Sequence, residues 1–374
     1  MRKKMQVRKQ KADKKAFPTT VFLVSLAILF SLIGLIFVFE ASSIRALQST
    51  GDSFYFLKLQ LRWIGLGIAA MVIFSMYNYK NLYYLSFPLM AVVIILLLIV
   101  LIPSVGQQVG GARRWINLGF ITIQPTEFAK LAAIVYFSSW FSKKEKGRFM
   151  PFLMLTGFLM ALILMQPDMG TAIIIFALSV IMYFLAGQQL QYLLALIPLS
   201  IGGFIALIFA APYRLRRLTA FLNPSEDPLG VGFHINQILI SLSEGGVTGR
   251  GFGASRQKYL FLPEAHTDSI FAIIGEELGF IGGILIIFFY VVLLFKLYEI
   301  YNATSDHFGK LLSGGIFAYF GLQVLINLGG MVNLMPLTGV TLPFLSYGGS
   351  SMITSFMLIG VVINIAHQSK LPKN

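Results

Sequence analysis

Long apolar runs separated by short polar segments dominate this chain. Ten runs come close to the roughly 20 residues that an α-helix needs to cross a bilayer. They lie near residues 17–39, 59–76, 82–102, 125–141, 150–166, 169–186, 191–211, 268–296, 310–334 and 343–366. The runs lack the period-two alternation of strands in an outer-membrane barrel. The pattern therefore predicts an all-α polytopic membrane protein with about ten transmembrane helices.

Composition agrees with this fold class. Hydrophobic residues make up 57% of the chain and charged residues only 12%, about half the share that soluble domains carry. A set of soluble domains is therefore excluded. The chain contains no cysteine, which excludes disulfides, a thiolate nucleophile and a zinc–thiolate site.

The net charge of +14 bears on the orientation of the helices. A basic tail at 1–16 and a basic loop at 142–149 lie on one side if the first four helices alternate, and membrane proteins keep such segments in the cytoplasm. An even number of helices brings the tail at 368–374 to the same side. Both termini are therefore expected in the cytoplasm, flanking a ten-helix domain at 17–367. The first tail could also bind anionic lipid, but the excess charge does not indicate nucleic acid.

Two of the outward-facing loops are long, at 103–124 and at 212–267, the second between predicted helices seven and eight. A structureless loop of the second length would be unusual. Apolar residues between 235 and 242 recur with helical spacing, which predicts a helix lying at the membrane surface. Residues 213–223, which include Arg217, form a second candidate helix.

Carboxylates at the eighth predicted helix are candidates for chemistry, because ionisable residues in membrane helices are costly and usually functional. Asp268 opens this helix, and its alternative role is a helix N-cap. Helical geometry lets Glu276 share a cavity with Asp268, while Glu277 points elsewhere. For Glu276 and Glu277 the favoured alternative is buried pairing with a neighbouring helix.

Charged residues also lie at the starts of the fourth and sixth predicted helices. Glu127 and Lys130 are three residues apart and can pair on one helix face, either as a structural ion pair or as a fixed charge for an anionic headgroup. Asp168 is expected to cap the sixth helix or to take part in the site. The simplest interpretation of Arg114 is a cation that snorkels to the membrane surface. The simplest interpretation of Trp115 is an aromatic residue at the membrane–water interface.

The end of the long outer loop combines glycines with Arg256 and Lys258 in the sequence GRGFGASRQK, followed by His266. Backbone N–H groups in such a segment can bind phosphate, although a solvated loop is the plain alternative. The sequence contains no P-loop, no H-E-x-x-H and no G-x-S-x-G motif. What remains is an outward-facing site of carboxylates and cations, which suits a lipid with a phosphate headgroup.

Five stretches in order resemble one family of membrane proteins. They are GGARRWINLGFITIQPTEFAKLA (110–132), QPDMGTA (166–172), APYRLRRLTAFLNPSEDPLGVGFHINQ (211–237), SRQKYLFLPEAHTDSIFAIIGEELGFIGG (255–283) and GVTLPFLSYGGSSM (339–352). The chain resembles the SEDS (shape, elongation, division and sporulation) proteins FtsW, RodA and SpoVE, and the fourth stretch is more similar to the FtsW and SpoVE branch. Ser269 departs from the aromatic Phe of many relatives.

The resemblance implies a peptidoglycan glycosyltransferase that polymerises lipid II outside the bacterial cytoplasmic membrane, with a class B penicillin-binding transpeptidase as partner. It also implies that Asp268 is the catalytic residue. We expect Asp268 to act as general base, with substrate-binding residues drawn from Glu127, Lys130, Arg114, Trp115, Asp168, Arg217, Arg256, Lys258 and His266. A divalent cation, Mg²⁺ or Mn²⁺, could assist, but no ligand set in the sequence indicates one.

Other functions stay open at this point. The same helices would suit a transporter that flips lipid II across the membrane, although such proteins often show repeats in hydropathy and none is visible here. A RodA-type polymerase of cell elongation is a second alternative to a septal enzyme of cell division. A non-enzymatic scaffold of the division complex is a third, and it leaves the charges at the helix ends unexplained.

Overall fold

The computed structural model describes residues 2–109, 111–119, 121–143, 147–209, 211–224, 226, 230, 232–259 and 261–369, with side chains from Thr19 onward apart from those of residues 109, 190 and 213. Part of the evidence for orientation lies outside these residues. It comprises the side chains of the basic tail at 1–16, the lysines Lys144 and Lys146, and the end of the second tail with Lys370 and Lys373.

Helices account for most of the described chain. Their bounds are α1 Arg2–Thr50, α2 Tyr55–Met76, α3 Asn81–Ile99, α4 Pro125–Ser142, α5 Phe149–Leu164, α6 Met169–Leu185, α7 Leu190–Phe209, α8 Pro212–Leu222, α9 Phe233–Gly245, α10 Ile270–Ala303, α11 His307–Met331 and α12 Gly349–Gln368. Each predicted transmembrane run coincides with one of α1–α7 or α10–α12. Within the described residues, seven helices are long and apolar enough to cross a membrane. The fold class, a polytopic α-helical membrane protein, is therefore confirmed. The predicted number of ten transmembrane helices is not confirmed.

The most buried helices are α12 and α4, and α7 lies at the periphery. In the most apolar stretch of α12, 89% of residues are buried inside the protein, against 11% in α7. Glycines allow α12 to approach α2 closely, as packing between membrane helices favours. A Cβ atom on Gly360 would lie 2.4 Å from the Met71 carbonyl oxygen, and one on Gly67 would lie 2.5 Å from the Phe356 ring.

Four predicted ends differ from the helix ends by six residues or more. Two of them are the start of α1, at Arg2 rather than 17, and the end of α10, at Ala303 rather than 296. The first run was expected to end at 39, but α1 continues to Thr50 because its last turns pair with the outer loop through Glu40 and Arg45. The last run was expected to begin at 343, but α12 begins at Gly349. Residues 332–348, the connecting segment, are not helical, and Phe344 within it has a left-handed φ of 65°.

The predicted loop at 103–124 contains a small antiparallel sheet in the order β1-β2-β3, with β1 Gly106–Val109, β2 Ala112–Asn117 and β3 Thr122–Ile123. Ala112 and Ile116 are the buried residues of β2. Side chains alternate along a strand, so Arg114 lies on the same face as these two. The sheet thereby directs Arg114 toward the protein rather than toward lipid.

Both helices predicted in the long outer loop are present, as α8 and α9. The predicted eighth membrane helix is broken at Gly279, where φ is 67° and ψ is −166°. The turn after α9 docks at this break: the N–H groups of Phe280 and Ile281 donate to the carbonyls of Gly246 and Val247 at 2.9 and 3.1 Å. The backbone groups at the break thus hold the turn after α9 close to the start of α10.

Candidate functional site

Asp268 lies in the turn that leads into α10. Its side chain is only 8% exposed, and its Oδ1 atom accepts a hydrogen bond from the Thr267 hydroxyl at 3.1 Å. The Asn327 amide donates to the Asp268 carbonyl at 2.8 Å and to the Val340 carbonyl at 2.7 Å. Ser269 occupies the N-cap position of α10, and no side chain caps it. The interpretation of Asp268 as a helix cap is therefore wrong.

A small crevice between α11 and the connecting segment lies in front of Asp268. Besides Asp268 it is lined by Ile326, Asn327, Gly330, Met331, Leu337, Thr338, Gly339 and Val340. Oδ2 of Asp268 lies 3.8 Å from the position that a Cβ atom would take on Gly339. A larger side chain at 339 would occupy this space, so the glycine keeps the carboxylate accessible from the crevice.

The carboxyl group of Asp268 is more basic than that of an ordinary aspartate, since its pKa is raised from 3.8 to about 6. Burial is the main cause, and the negative charge of Glu264 adds to it. The hydrogen bond from Thr267 and the charge of Arg217 act in the opposite direction. A carboxylate that is ionised at neutral pH and has a raised pKa is suited to act as a general base.

Glu127 and Lys130 form the ion pair that their spacing predicts. Lys130 Nζ donates to Glu127 Oε1 at 2.7 Å, and the two side chains are 8% and 1% exposed for Glu127 and Lys130 respectively. The ammonium also lies 5.4 Å from the centre of the Tyr319 ring, within cation–π range. Glu127 Oε2 is buried and has no hydrogen-bond partner among the described residues.

Asp168 caps α6, as the sequence predicts, by accepting hydrogen bonds from the Thr171 N–H at 3.2 Å and the Thr171 hydroxyl at 2.9 Å. Arg114 reaches the same turn from β2. Its guanidinium donates to the carbonyls of Gln166 and Pro167 and lies 3.9 Å from Asp168 Oδ1. The snorkelling interpretation of Arg114 is therefore wrong, since the guanidinium is held against the start of α6.

Three polar side chains on α11 connect Lys130 with Asp268. Tyr319, Gln323 and Asn327 are spaced by four residues and so lie on one face of the helix. Tyr319 contacts Lys130 and Asn327 contacts Asp268. Gln323 between them is fully buried, and neither atom of its amide has a partner within the described part of the chain. Buried polar atoms are nearly always satisfied by protein or ordered water, so we expect this face of α11 to be hydrated.

Comparison with known proteins decides the family. The sequence model that describes the FtsW, RodA and SpoVE family of cell cycle proteins matches residues 20–371 of this chain. The chain belongs to this family. It is 42% identical to the stage V sporulation protein E of Bacillus subtilis, over 96% of this chain and 99% of that protein. It is 39% identical to a probable peptidoglycan glycosyltransferase FtsW of Trichlorobacter lovleyi, over 90% of each.

A solved structure extends this similarity to the fold. The chain superimposes with a TM-score of 0.77 and 27% identity on a chain of a peptidoglycan synthase complex that was described as coordinating polymerization and crosslinking. The match covers 93% of this chain and 97% of the other. The family membership predicted from the sequence is therefore confirmed, and SpoVE and FtsW belong to the branch that the SRQKYLFLPEAHTD run favours.

In this member of the FtsW/RodA/SpoVE family, Lys258 has a different setting from the one predicted. We expected it to offer a free charge to phosphate. Its ammonium instead lies 2.5 Å from Glu40 and 3.6 Å from Glu277, and it donates to the Gly253 carbonyl at 2.7 Å. Burial acts against the charged form, but the hydrogen bond and charge of Glu40 raise the pKa of Lys258. Lys258 therefore ties the outer loop to α1 and α10.

The carboxylates of Glu276 and Glu277 bind the same loop. Glu276 accepts from the Ser255 hydroxyl at 2.6 Å, the Arg256 N–H at 2.8 Å and the Ser241 hydroxyl on α9 at 3.2 Å. Glu277 accepts from two further N–H groups of the loop. Buried pairing was the favoured interpretation, but most partners come from the loop rather than from a neighbouring helix. Glu276 does not line the crevice of Asp268.

The remaining predicted residues fall in three settings. The side chain of Arg256 is exposed, and Arg217 is exposed on α8 with its guanidinium 3.4 Å from the Leu337 carbonyl. Trp115 is half-buried on β2. His266 is buried and packs against the rings of Phe56 and Tyr347 at 4.6 and 5.4 Å. Burial lowers its pKa to about 4, so it is neutral at neutral pH.

Sequence reasoning missed four residues that hold the site: Glu40, Glu264, Thr267 and Asn327. Thr267 and Glu264 precede Asp268 in the motif LPEAHTD, which was a signal for them. Glu40 and Asn327 had no such signal, because their partners are 218 and 59 residues away. In the part of the chain that the structure describes, no group of three or more His, Asp or Glu side chains could hold a metal ion.

Proposed function

We propose that this chain is a peptidoglycan glycosyltransferase that polymerises lipid II at the outer face of the cytoplasmic membrane, with Asp268 as the general base. Membership of the FtsW/RodA/SpoVE family and relatives named for this activity support the enzyme class. One observation carries the mechanism. Asp268 is a buried carboxylate with a raised pKa, and its Oδ2 atom lies beside Gly339 in a narrow crevice.

The reaction makes one bond and breaks another. The 4-hydroxyl of an acceptor sugar forms a bond to the anomeric carbon of the donor, while the bond from that carbon to pyrophosphate breaks. Asp268 Oδ2 takes the proton of the hydroxyl, and undecaprenyl pyrophosphate leaves with the bonding electrons. Pyrophosphate is a good leaving group, so the second carboxylic acid that a glycosidase needs is dispensable. A single displacement inverts the α-linked donor to a β-linked product.

Fixed positive charge would stabilise the pyrophosphate as its negative charge grows. Lys130 and Arg114 are held in defined positions by Glu127 and by the start of α6. Arg217 lies close enough to Asp268 for its charge to act on that carboxyl group, and its side chain is exposed. We therefore assign Lys130, Arg114 and Arg217 to the phosphate groups. Arg256 would contact the substrate from the loop, and Lys258 would hold that loop.

We assign the helix ends that carry Asp268 to the outside, with both termini in the cytoplasm. A class B penicillin-binding transpeptidase is the proposed partner, because a structurally similar chain occurs in a synthase complex in which polymerization and crosslinking are coordinated. The division septum is the proposed site of action. The similarity to both an FtsW and a sporulation protein supports this assignment over an elongation role.

Polymerisation by a purified Asp268→Asn variant tests the proposal. The variant, bound to its transpeptidase partner, is given labelled lipid II in detergent, and the glycan is measured on gels. We expect no glycan, because the amide cannot accept the proton. Asp52→Asn is the matched control, since Asp52 is a carboxylate paired with Lys58 at the surface, and it should retain full activity.

Normal glycan yield from Asp268→Asn would refute the role of base. If wild-type protein makes no glycan in detergent but moves lipid II across vesicle membranes, the chain is a transporter instead.

A further inference from the structure

The Thr267 hydroxyl lies between two carboxyl groups. Its oxygen is 3.0 Å from Glu264 Oε2, 3.1 Å from Asp268 Oδ1 and 3.0 Å from the Glu264 carbonyl. A hydroxyl has one hydrogen to donate, so it can satisfy only one of these oxygens at a time. A second carboxyl group at such a distance is favourable when it is protonated and donates its own hydrogen to Thr267. The geometry therefore fits a pair of carboxyl groups that pass a proton through a hydroxyl.

The two carboxyl groups differ in their access to water. The side chain of Asp268 is 8% exposed and that of Glu264 is 51% exposed. A substrate in the crevice covers the Oδ2 side of Asp268, whereas Thr267 and Glu264 lie on the Oδ1 side. A growing glycan strand that stays in the site would block the direct route from Asp268 to water, but not the route through Glu264.

The turn that carries these groups is held in a backbone conformation that its residues do not favour by themselves. Glu264 has a φ of +48°, in the left-handed region that residues other than glycine rarely adopt. Its carbonyl accepts from the N–H groups of Thr267 and Ser269 at 3.1 and 3.2 Å. His234 Nε2 lies 2.7 Å from the Ser269 hydroxyl and supports the turn from α9. The backbone of this turn thus keeps Glu264, Thr267 and Asp268 next to one another.

We propose that Thr267 and Glu264 carry the proton away from Asp268 after each glycosyl transfer. This inference rests on the proposed role of Asp268 as base. A half-turn of the protonated carboxyl group brings its O–H to Thr267. The Asp268 O–H bond breaks as a new Thr267 O–H bond forms, the original Thr267 O–H bond breaks as a Glu264 O–H bond forms, and Glu264 releases the proton to water. Neither residue touches substrate, and both act through Asp268.

Among the residues that the structure describes, two cations and two histidines face the pair. Arg45 on α1 lies 3.8 Å from Glu264, and Arg217 on α8 is close enough for its charge to reach Asp268. The charge of Arg217 favours the ionised form of Asp268. Burial lowers the pKa values of His234 and His266 to about 4, so neither ring holds the proton at neutral pH.

Three substitutions test this route in the complete enzyme with its transpeptidase partner: Glu264→Gln, Thr267→Val and Thr267→Ser. Lipid II polymerisation is measured for kcat and KM, with imidazole added as a diffusible base. We expect Glu264→Gln and Thr267→Val to lower kcat by roughly tenfold or more at unchanged KM, and imidazole to restore part of it. Thr267→Ser keeps the hydroxyl and should retain wild-type kcat. Glu244→Gln, an outer carboxylate paired with Arg250, is the matched control.

Two results would overturn the proposal. One is wild-type kcat for either Glu264→Gln or Thr267→Val. The other is a loss of kcat with raised KM and no response to imidazole, which would indicate a structural role. The Asp268→Asn variant separates this failure from failure of the proposed function: if it polymerises normally, the base itself is wrong. If it is inactive while Glu264→Gln is normal, only the proton route is wrong.

Discussion

Burial beside a second negative charge determines when the Asp268 carboxyl group can accept a proton. Its pKa of about 6 lies below neutral pH, so the ionised form dominates at neutral pH, yet the group is far more basic than an exposed aspartate. The same shift has a cost in stability. A carboxyl group whose pKa is higher in the folded state stabilises the protein below its unfolded value, near 3.8, and this stability is lost as the pH rises through 6.

We therefore predict that Asp268→Asn is more stable than wild-type protein at pH 7.5. A difference of about two pKa units corresponds to about 3 kcal/mol between the two protonation states, and the neutral amide avoids this loss. Thermal unfolding in detergent should show a higher midpoint for the variant at pH 7.5. At pH 4.5, where Asp268 is itself protonated in the folded state, the two midpoints should converge. A variant less stable than wild type at both pH values would contradict the shift.

At the scale of elements, the break in α10 connects the outer loop to the helix that begins after Asp268. A Cβ atom on Gly279 would lie 2.2 Å from the Gly249 nitrogen and 2.6 Å from the Val247 carbonyl oxygen. The left-handed φ of Gly279 is also one that other residues rarely adopt. The segment of α10 after Gly279 has 24 residues and extends roughly 36 Å, enough to cross a bilayer by itself. The break thus leaves the first turns of α10 free to serve the site.

We predict that Gly279→Ala destabilises the protein by at least about 2 kcal/mol, because it combines a strained φ with a backbone clash. Thermal unfolding should show the loss, and limited proteolysis should cut the loop at 246–259 faster than in wild type. Gly157→Ala in α5 is the matched control, since a Cβ atom there meets no atom within 4 Å. It should be neutral or stabilising, as alanine favours a helix. Equal unfolding midpoints for the two variants would show that the break is not needed.

Patterns of neighbouring residues in the sequence predicted most elements of the fold. The features they missed depend on contacts between residues that are far apart in the sequence. Apolar runs marked α1–α7 and α10–α12, and helical spacing marked α8 and α9. The break at Gly279 was missed because GFIGG lies in a continuous apolar run, and only its docking with the turn after α9 makes it visible. In the site, Glu127 with Lys130 and Asp168 with Thr171 were predictable because they are neighbours on a helix.

At the scale of the whole molecule, alternating helices are expected to place the contacts between helix ends in two separate layers. One layer holds Asp268, Asp168 with Arg114, and Lys258 with Glu40. The other layer comprises the connections that follow α2, α6 and α10. It contains the hydrogen bond that the Tyr79 hydroxyl donates to Asp306 at 2.5 Å. Helices that alternate through the bilayer produce this arrangement. Loops in one layer are then expected to share a side of the membrane, and the positive charge of the first tail favours the cytoplasm for that tail.

The absence of cysteine makes this orientation directly testable in living cells, because a single introduced thiol is then the only one. Ser243→Cys on α9 lies in the layer of Asp268, and Ser305→Cys, between α10 and α11, lies in the other layer; both serines are exposed. We predict that a membrane-impermeant maleimide labels Ser243→Cys in intact cells and labels Ser305→Cys only after permeabilisation. Wild-type protein should stay unlabelled. The reverse pattern would place the Asp268 crevice in the cytoplasm, where a polymerase of the external cell wall could not act.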